Sequence, residues 1–441
     1  MFYIVESEDQ LQYLSNLGKQ GGFMHVIPTS YSMHPKLTEA LAVYLHPLEH
    51  EKGYIIPLAH DEGLNVPKER VYDLLSAYTT LYTLDKKNLL YYFNLQGAID
   101  LQLLSSMNEF KKLDYSLESK LTSWYGNRFR GYLDINKIVP LSKHHEDCEA
   151  LFKKVLPILS QPIPKGFDFY NNTATNVFYL LEQEGLGIVY NAFVEMFSPR
   201  DPRLNIRDNI TFTSYNLYNA TSRPTNAFNS VNYAAIPKGD DYRQCFRPKG
   251  DYFVEFDFDG YHLRLLCDQI EYKLTDESAH KQLARQYFGT DDITDEQYLE
   301  AKQINFHALY GKIPEAHKNL KIFQEIQEYI DTMWKFYEEN GVVYNPISDK
   351  PFTKELSDMH PAKLMNYMMQ SLETARNILI LKNVLRFLKD KKTAPVLYTY
   401  DAILFDYYKE DGKELLEELE KILSENGKYP VKFKYSKNLV L

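Results

Sequence analysis

At 441 residues, 44% hydrophobic and 25% charged, the chain has the make-up of a folded protein of two or three domains, not of a disordered or fibrous one. A net charge of −10 argues against a simple nucleic-acid coat and leaves room for a large enzyme with a local basic cleft. The odd, scattered set Cys148, Cys245 and Cys267 forms neither a disulfide framework nor a zinc site, and suggests a reducing compartment.

The start, MFYIVESEDQ, turns acidic too soon for a signal peptide. No apolar run approaches the ~18 residues that span a bilayer. The expectation is a cytoplasmic protein with no membrane partner. The aromatic content is skewed, with 36 Tyr and 25 Phe against 2 Trp. Tyrosine suits wet, half-buried clefts, and a biased coding composition gives the same excess.

In chain order, Ser7 with Gln10 makes a capping-box pattern ahead of a short helix. FMHVIP, ALAVYLHP and GYIIPLAH read as three strands, and RVYDLLSAYTTLY as a helix. QPIPKG (161–166) is the best candidate domain joint. A helical VFYLLEQEGLG follows, then an irregular Arg-containing stretch and, from about residue 210, strands and loops.

Three long helices come next. DEQYLEAKQINFHAL is capped by Thr294 with Gln297 and stopped by Gly311. IFQEIQEYIDTMWKFYEEN is amphipathic and ends at Gly341. The third is AKLMNYMMQSLETARNILILKNVLRFLKD. The tail reads as two strands in PVLYTYDAILFDYY, a charged helix and a last strand.

Three stretches are candidates for chemistry. In FVEFDFDGYHLRLL (253–266), Val254, Phe256 and Phe258 alternate with Glu255, Asp257 and Asp259. One face of that strand is therefore apolar and the other carries three acids. In YTYDAILFD, Asp401 falls at a hairpin turn. An isolated aspartate there is an ordinary turn residue. Two adjacent strands bearing one carboxylate each also suit a pair of divalent cations, since Mg²⁺ takes carboxylate and phosphate oxygens. On the first long helix Tyr298, Lys302, Phe306 and Tyr310 recur every fourth residue, with Ile304 and Ala308 opposite. That face suits a nucleoside triphosphate, or is the outside of a core helix with a snorkelling lysine.

Taken together, these blocks resemble the family A DNA polymerases, typified by bacterial DNA polymerase I and related phage enzymes. DFDGYHLR (257–264) looks like the first palm motif. HKQLARQYFG with ITDEQYLEAKQINFHALYG is similar to the fingers block, NYMMQ (366–370) to the minor-groove segment, and YTYDAILFD to the last palm motif. TSRPTNAFNSVNYAAIP followed by YRQCF matches the stretch before the palm, so order and spacing agree over about residues 210–410.

The resemblance implies an α/β chain. A ribonuclease H-like, exonuclease-type domain (1–160) is followed by a linker and much reduced thumb (161–222). A right-hand polymerase domain (223–441) then has an antiparallel palm sheet with helices and helical fingers at about 270–345. By resemblance, Asp257, Asp401 and the Phe258 carbonyl hold two Mg²⁺, for which Mn²⁺ is a substitute. Lys302 and His280 bind phosphates, and Lys302 also protonates the leaving group. Tyr298, Phe306, Tyr310 and His262 contact the nucleotide. Arg223, Arg243, Asn366, Gln370 and Tyr400 contact DNA. The implied activity is primer extension with dNTPs on primer-template DNA; the alternative is an inactive polymerase-like scaffold.

Several positions depart from the family pattern. His262 stands where a glutamate screens the sugar 2′ position, Tyr298 replaces a phosphate-binding arginine, Tyr400 a histidine and Ala402 an acid. Glu255 and Asp259 are extra acids, read as solvated strand-edge charges or outer partners of the metals. GYIIPLAHDEG and KLDYSLESKLTSWYG resemble parts of the exonuclease. Of its acids, Asp100 and Asp147 remain, while Pro28, Ser30 and Asn88 stand where others belong, so a remnant without nuclease activity is expected. Only about forty residues separate Glu182 from Arg223, too few for two long thumb helices at 1.5 Å per residue. Weak grip on DNA, helped by a loop at Arg200, Arg203 and Arg207 or by a processivity or replication partner, is the expectation. The reduced, aromatic-rich chain suggests a phage origin and a host-cell cytoplasm.

Overall fold

The computed structural model describes residues 3–31, 33–110, 135–197, 205–226, 231–237, 241–275, 277–309 and 313–441. Helix α1 (Glu8–Asn16) begins at the expected capping box: the Ser7 hydroxyl accepts from the Gln10 N–H, and the Gln10 carboxamide from that of Ser7. The chain then runs through β1 (Gly22–Pro28), β2 (Ala40–Pro47), β3 (Tyr54–Pro57), α2 (Lys68–Ser76), β4 (Leu81–Thr83), β5 (Ile99–Asp100), α3 (Leu101–Asn108), α4 (Leu141–Leu159) and α5 (Thr175–Leu181).

Strands β1 to β5 form one mixed sheet in the order β3-β2-β1-β4-β5. The first three are antiparallel neighbours, and β4 and β5 run parallel to β1. Alternation sends Met24, Val26, Val43 and Ile56 to one face, against Leu11, Leu14, Val71 and Leu74 of α1 and α2. Phe23, Ile27, Tyr44 and Ile55 point the other way, into a core shared with α3, α4 and α5. Both faces are thus covered, which is why these strands read as unbroken apolar runs.

Two expected helices are shorter than their sequence patterns. RVYDLLSAYTTLY is helical only to Ser76, and its end enters β4 beside β1, because Thr79, Thr80 and Tyr82 favour extended backbone. VFYLLEQEGLG is helical only to Leu181. Gly185, at φ 63°, then turns the chain into a short strand, Leu186–Ile188.

The second half contains β6 (Tyr252–Phe258), α6 (Tyr261–Gln269), α7 (Ala279–Phe288), α8 (Asp295–Leu309), α9 (Lys321–Asn340), α10 (Pro361–Phe387), β7 (Ala394–Tyr398), β8 (Ala402–Tyr407), α11 (Glu414–Leu423) and β9 (Val431–Ser436). Its antiparallel sheet has the order β7-β8-β6-β9. Helix α10 is the central support, packed against α5, α6, α9 and α11. The Thr294–Gln297 capping box opens α8, and Gly341, at φ 74°, ends α9. Gly311 lies outside the described residues.

The shared core runs without interruption from Phe23 to Leu439. In the QPIPKG segment Pro162, Ile163 and Lys165 are exposed, while Gly166 is pressed against the backbone of Ser348 and Asp349. No described helix is long and apolar enough to cross a membrane.

Candidate active site

Strand β6 delivers the first acid. Phe256 is buried between Phe405 and Phe433, which pins the register, so that Asp257 lies opposite Ala402 of β8 and Lys432 of β9. Asp401 is at the tip of the β7–β8 hairpin, next to that register point, and its carbonyl accepts from the Phe258 N–H at 2.9 Å. The two acids therefore meet at one end of the sheet. With Glu255, Arg243 and Tyr400 they line a cavity of about 240 Å³.

Asp401 as a residue is exposed, but protein atoms crowd its carboxyl. That crowding and the Glu373 charge push its pKa above the usual carboxylate range, while His262 and Arg223 pull it down. Tyr400 before it has φ 67°, a conformation costly for a bulky residue. It is held by Asn377, whose Nδ2 donates to the Tyr400 carbonyl at 2.8 Å and to the Tyr398 hydroxyl at 3.1 Å.

Among the described residues no three His, Cys, Asp or Glu side chains are grouped as a metal cage. Mg²⁺ needs only one or two carboxylates when a substrate phosphate completes its shell. Asp257 and Asp401, two acids in one cavity with Glu255 nearby, fit that donor set. Asp406, by contrast, accepts from the N–H groups of Lys249 and Gly250 at 2.8 Å each and is structural.

The two extra acids have partners of their own. Glu255 lies directly opposite Lys434 on β9, a cross-strand pairing of opposite charges. Asp259 receives Lys432 Nζ at 2.5 Å, with Arg264 at 3.7 Å. Burial pushes its carboxyl up, but Lys432, the Ala279 N–H and Arg264 outweigh this and hold it below the ordinary range. It is therefore a buried ion-pair partner and not a solvated strand-edge charge.

Gly260, at φ 60°, makes the tight turn into α6, and a Cβ there would meet that of Ala279 at 3.2 Å. Arg264 next donates to the carbonyls of Asp259, Thr275 and Glu277 at 3.0, 3.0 and 2.7 Å, fastening the connection to α7.

On α8 the apolar residues Ile304 and Ala308 are buried, while Lys302 and Phe306 are exposed and Tyr298 half-buried. Tyr310 lies outside the described residues. His280 stands edge-on to Tyr298. Burial pushes its pKa down to about 4, with Asp259 opposing and Lys302 adding to the fall. It is therefore neutral at pH 7 and brings no positive charge to this face. Asn305 Nδ2 donates to His280 Nδ1 at 2.9 Å, which leaves the proton on Nε2.

Helix α10 lays Asn366, Gln370, Glu373 and Asn377 along one stripe. Gln370 Nε2 donates to Asn366 Oδ1 at 2.7 Å, and Thr221 donates to Gln370. Arg223 lies 3.7 Å above the Tyr400 ring and contacts Glu373, as does His262. Arg243 is placed otherwise. Its guanidinium donates to the carbonyls of Pro237, Leu439 and Ile236, so it braces the carboxyl-terminal tail at the cavity edge.

Of the exonuclease-like positions, Pro28, Ser30 and Asn88 line a second cavity of about 240 Å³, with His25, Tyr31 and Asp85. Asp100 and Asp147 are not part of that lining. Asp100 is buried, accepts from the N–H groups of Lys86 and Leu103 and from the Tyr218 hydroxyl, and burial with Asp85 pushes its pKa up to about 7. Asp147 pairs with Lys143 on α4. KLDYSLESKLTSWYG, Arg200 and Arg203 lie outside the described residues; Arg207 is on the short strand Ile206–Arg207.

Sequence reasoning missed Glu373, Asn377, Asn305 and Lys432. Only Lys432 left a readable signal, the alternation VKFKYSK that complements VEFDFD.

No family model matches the chain. Over 219 residues, 42% of this chain, it is 25% identical to DNA polymerase I of Caldicellulosiruptor bescii, and the match spans only 26% of that protein. In structure it is similar to the POL domain of Pol1 from M. smegmatis, solved in complex with DNA primer-template and dNTP. The TM-score is 0.71 at 13% identity, with 99% of each chain covered. The likeness in fold to that polymerase domain thus extends across nearly the whole chain.

Proposed function

We propose that the chain is a template-directed DNA polymerase that extends a primer 3′-OH with dNTPs and lacks proofreading activity. The observation that carries this is the meeting of Asp257 and Asp401 at the ends of adjacent strands, beside a helix stripe of amides and an exposed Lys302–Phe306 face. On this reading β6 to β9 form the palm, α7 to α9 the fingers, and β1 to β5 a ribonuclease H-like unit.

Asp257, Asp401 and the Phe258 carbonyl would hold two Mg²⁺, with Mn²⁺ as a substitute. Bound there, the ions lower the pKa of the 3′-OH and neutralise the triphosphate. The chain's own groups orient the reactants. The 3′-OH releases its proton to solvent and its oxygen bonds to the α-phosphorus as the bond to pyrophosphate breaks, while Lys302 gives its own proton to the departing pyrophosphate. His280 Nε2–H adds a neutral hydrogen bond to a phosphate oxygen, and Phe306 packs near the sugar. Arg223, Asn366 and Gln370 meet the minor-groove acceptors common to all correct pairs, and His262 faces the sugar 2′ position.

The absence of proofreading is inferred from Pro28, Ser30 and Asn88, which give the amino-terminal cavity no acid pair for metals. Asp85 is the sole carboxylate in its described lining. The short connection from Glu182 to Arg223 supports weak hold on DNA and dependence on a partner. Long products from the lone chain at low enzyme-to-template ratio would refute that part.

Primer extension with Mg²⁺ and dNTPs or rNTPs tests the main proposal. Asp257→Asn and Asp401→Asn should each lose on the order of a thousandfold in rate. No extension by the wild type would leave an inactive polymerase-like scaffold. Comparable rates with rNTPs would overturn the DNA assignment.

A further inference from the structure

Glu373 carries a charge that the proposed chemistry does not use. It sits on α10 at 1% exposure, and its two oxygens reach different segments. Oε2 lies 3.1 Å from an Arg223 guanidinium nitrogen, and Oε1 lies 3.2 Å from His262 Nε2. Arg223 comes from the loop before the second half, and His262 from the first turn of α6, five residues after Asp257. Arg223 is in turn stacked on Tyr400, the residue before Asp401. One buried carboxylate therefore ties together the groups flanking both acids.

Stability is a poor reason for this arrangement. Burying a carboxylate against cations costs desolvation that the attraction barely offsets, and an apolar side chain would anchor α10 as firmly. The network is also incomplete inside the protein. Arg223 Nε and Glu373 Oε2 are buried yet lack a hydrogen-bond partner of good geometry. The Arg223 side chain remains 24% exposed toward solvent.

We infer that Glu373 is a positioning residue for sugar recognition: it aims His262 at the sugar of the incoming nucleotide and Arg223 at the primer terminus. This rests on the polymerase reading. Glu373 touches neither substrate; it acts through the two side chains it holds. An amide in its place keeps the volume but removes the carboxylate that both partners face, so each is free to turn.

The test is the ratio of dNTP to rNTP incorporation by the full chain in steady-state single-nucleotide extension. That ratio does not depend on how much of a variant is folded. Glu373→Gln should lower it roughly tenfold, the equivalent of ~1.4 kcal/mol, chiefly through KM for the dNTP. Glu373→Asp should fall between the two. His262→Ala should lower the ratio as well, and adding Glu373→Gln to His262→Ala should change it less than about twofold, as residues in one network are not additive.

An unchanged ratio in Glu373→Gln, or effects that multiply in the double variant, overturns the inference while leaving the polymerase intact. Failure of the wild type to extend any primer overturns the polymerase reading, and this inference with it.

Discussion

Replacing Lys87 by methionine probes the most deeply buried charge pair of the fold. Lys87 is 3% exposed and Glu182 fully buried. Lys87 Nζ donates to both Glu182 oxygens, at 2.6 and 2.9 Å, and the Tyr91 hydroxyl and Tyr215 N–H complete the shell at 3.1 and 2.6 Å. His34 nearby contributes no charge, because burial pushes its pKa down to about 3. Methionine keeps most of the aliphatic stem, so the loss is mainly the counter-charge. Breaking a buried pair costs about 3–5 kcal/mol, and since two neutral donors remain on Glu182 the expected loss is about 3 kcal/mol.

The loss has a defined pH dependence. Burial raises the Glu182 carboxyl above its ordinary 4.5, with Lys87 foremost among the groups that pull it down. A carboxyl raised in the folded state favours folding below its unfolded pKa, and that contribution is lost as pH rises through the folded value. Removing Lys87 raises Glu182 further. The penalty should therefore be larger at pH 8 than at pH 5 in urea unfolding, and Lys87→Met with Glu182→Gln should recover more than half of it. A loss under about 1 kcal/mol at pH 8, or one that does not change with pH, would refute the reasoning.

Gly166→Ala should destabilise the chain by at least about 2 kcal/mol, measured by urea unfolding. Its φ is 75°, and a Cβ would lie 2.2 Å from the Ser348 carbonyl oxygen; a neutral result would mean that this contact yields freely. Lys432→Ala should cost no more than about 1 kcal/mol, because Lys432 is 66% exposed. Asp259 is held below its ordinary 3.8, so the cost should be present at pH 6 and fade as pH falls below that value; a cost that grew toward acid would sink this account. Cys148, Cys245 and Cys267 are buried thiols, and burial pushes the Cys245 and Cys267 thiols up to about 12. An aromatic disulfide reagent should find no prompt thiol in the native chain and three in denaturant.

What the sequence reveals follows the range of the forces involved. Strands β1 to β3, the β7–β8 hairpin and the caps of α1, α8 and α9 are written in local periodicity and end residues, and the structure has them. Strand β4 was hidden, because Leu81–Thr83 continues a helical-looking segment and becomes a strand only beside β1. The acids Asp257 and Asp401 stand out through their placement in apolar strands. Glu373 does not: its partners Arg223 and His262 lie more than a hundred residues away in sequence, and within α10 it reads as one charge on a long helix. The neutrality of His280 was equally hidden, since it arises from burial between α6 and α8.

The continuous core has a consequence for dissecting this protein. Phe23 and Tyr44 of the first sheet share their apolar surroundings with Phe178, Phe253 and Met368, and the Lys87–Glu182 pair bridges the same boundary. A fragment beginning near residue 161 would leave one wall of its interior facing water, with a buried carboxylate stripped of its cation. The amino-terminal unit is therefore structurally indispensable, and any shortened version will need a replacement wall, not merely a new start codon.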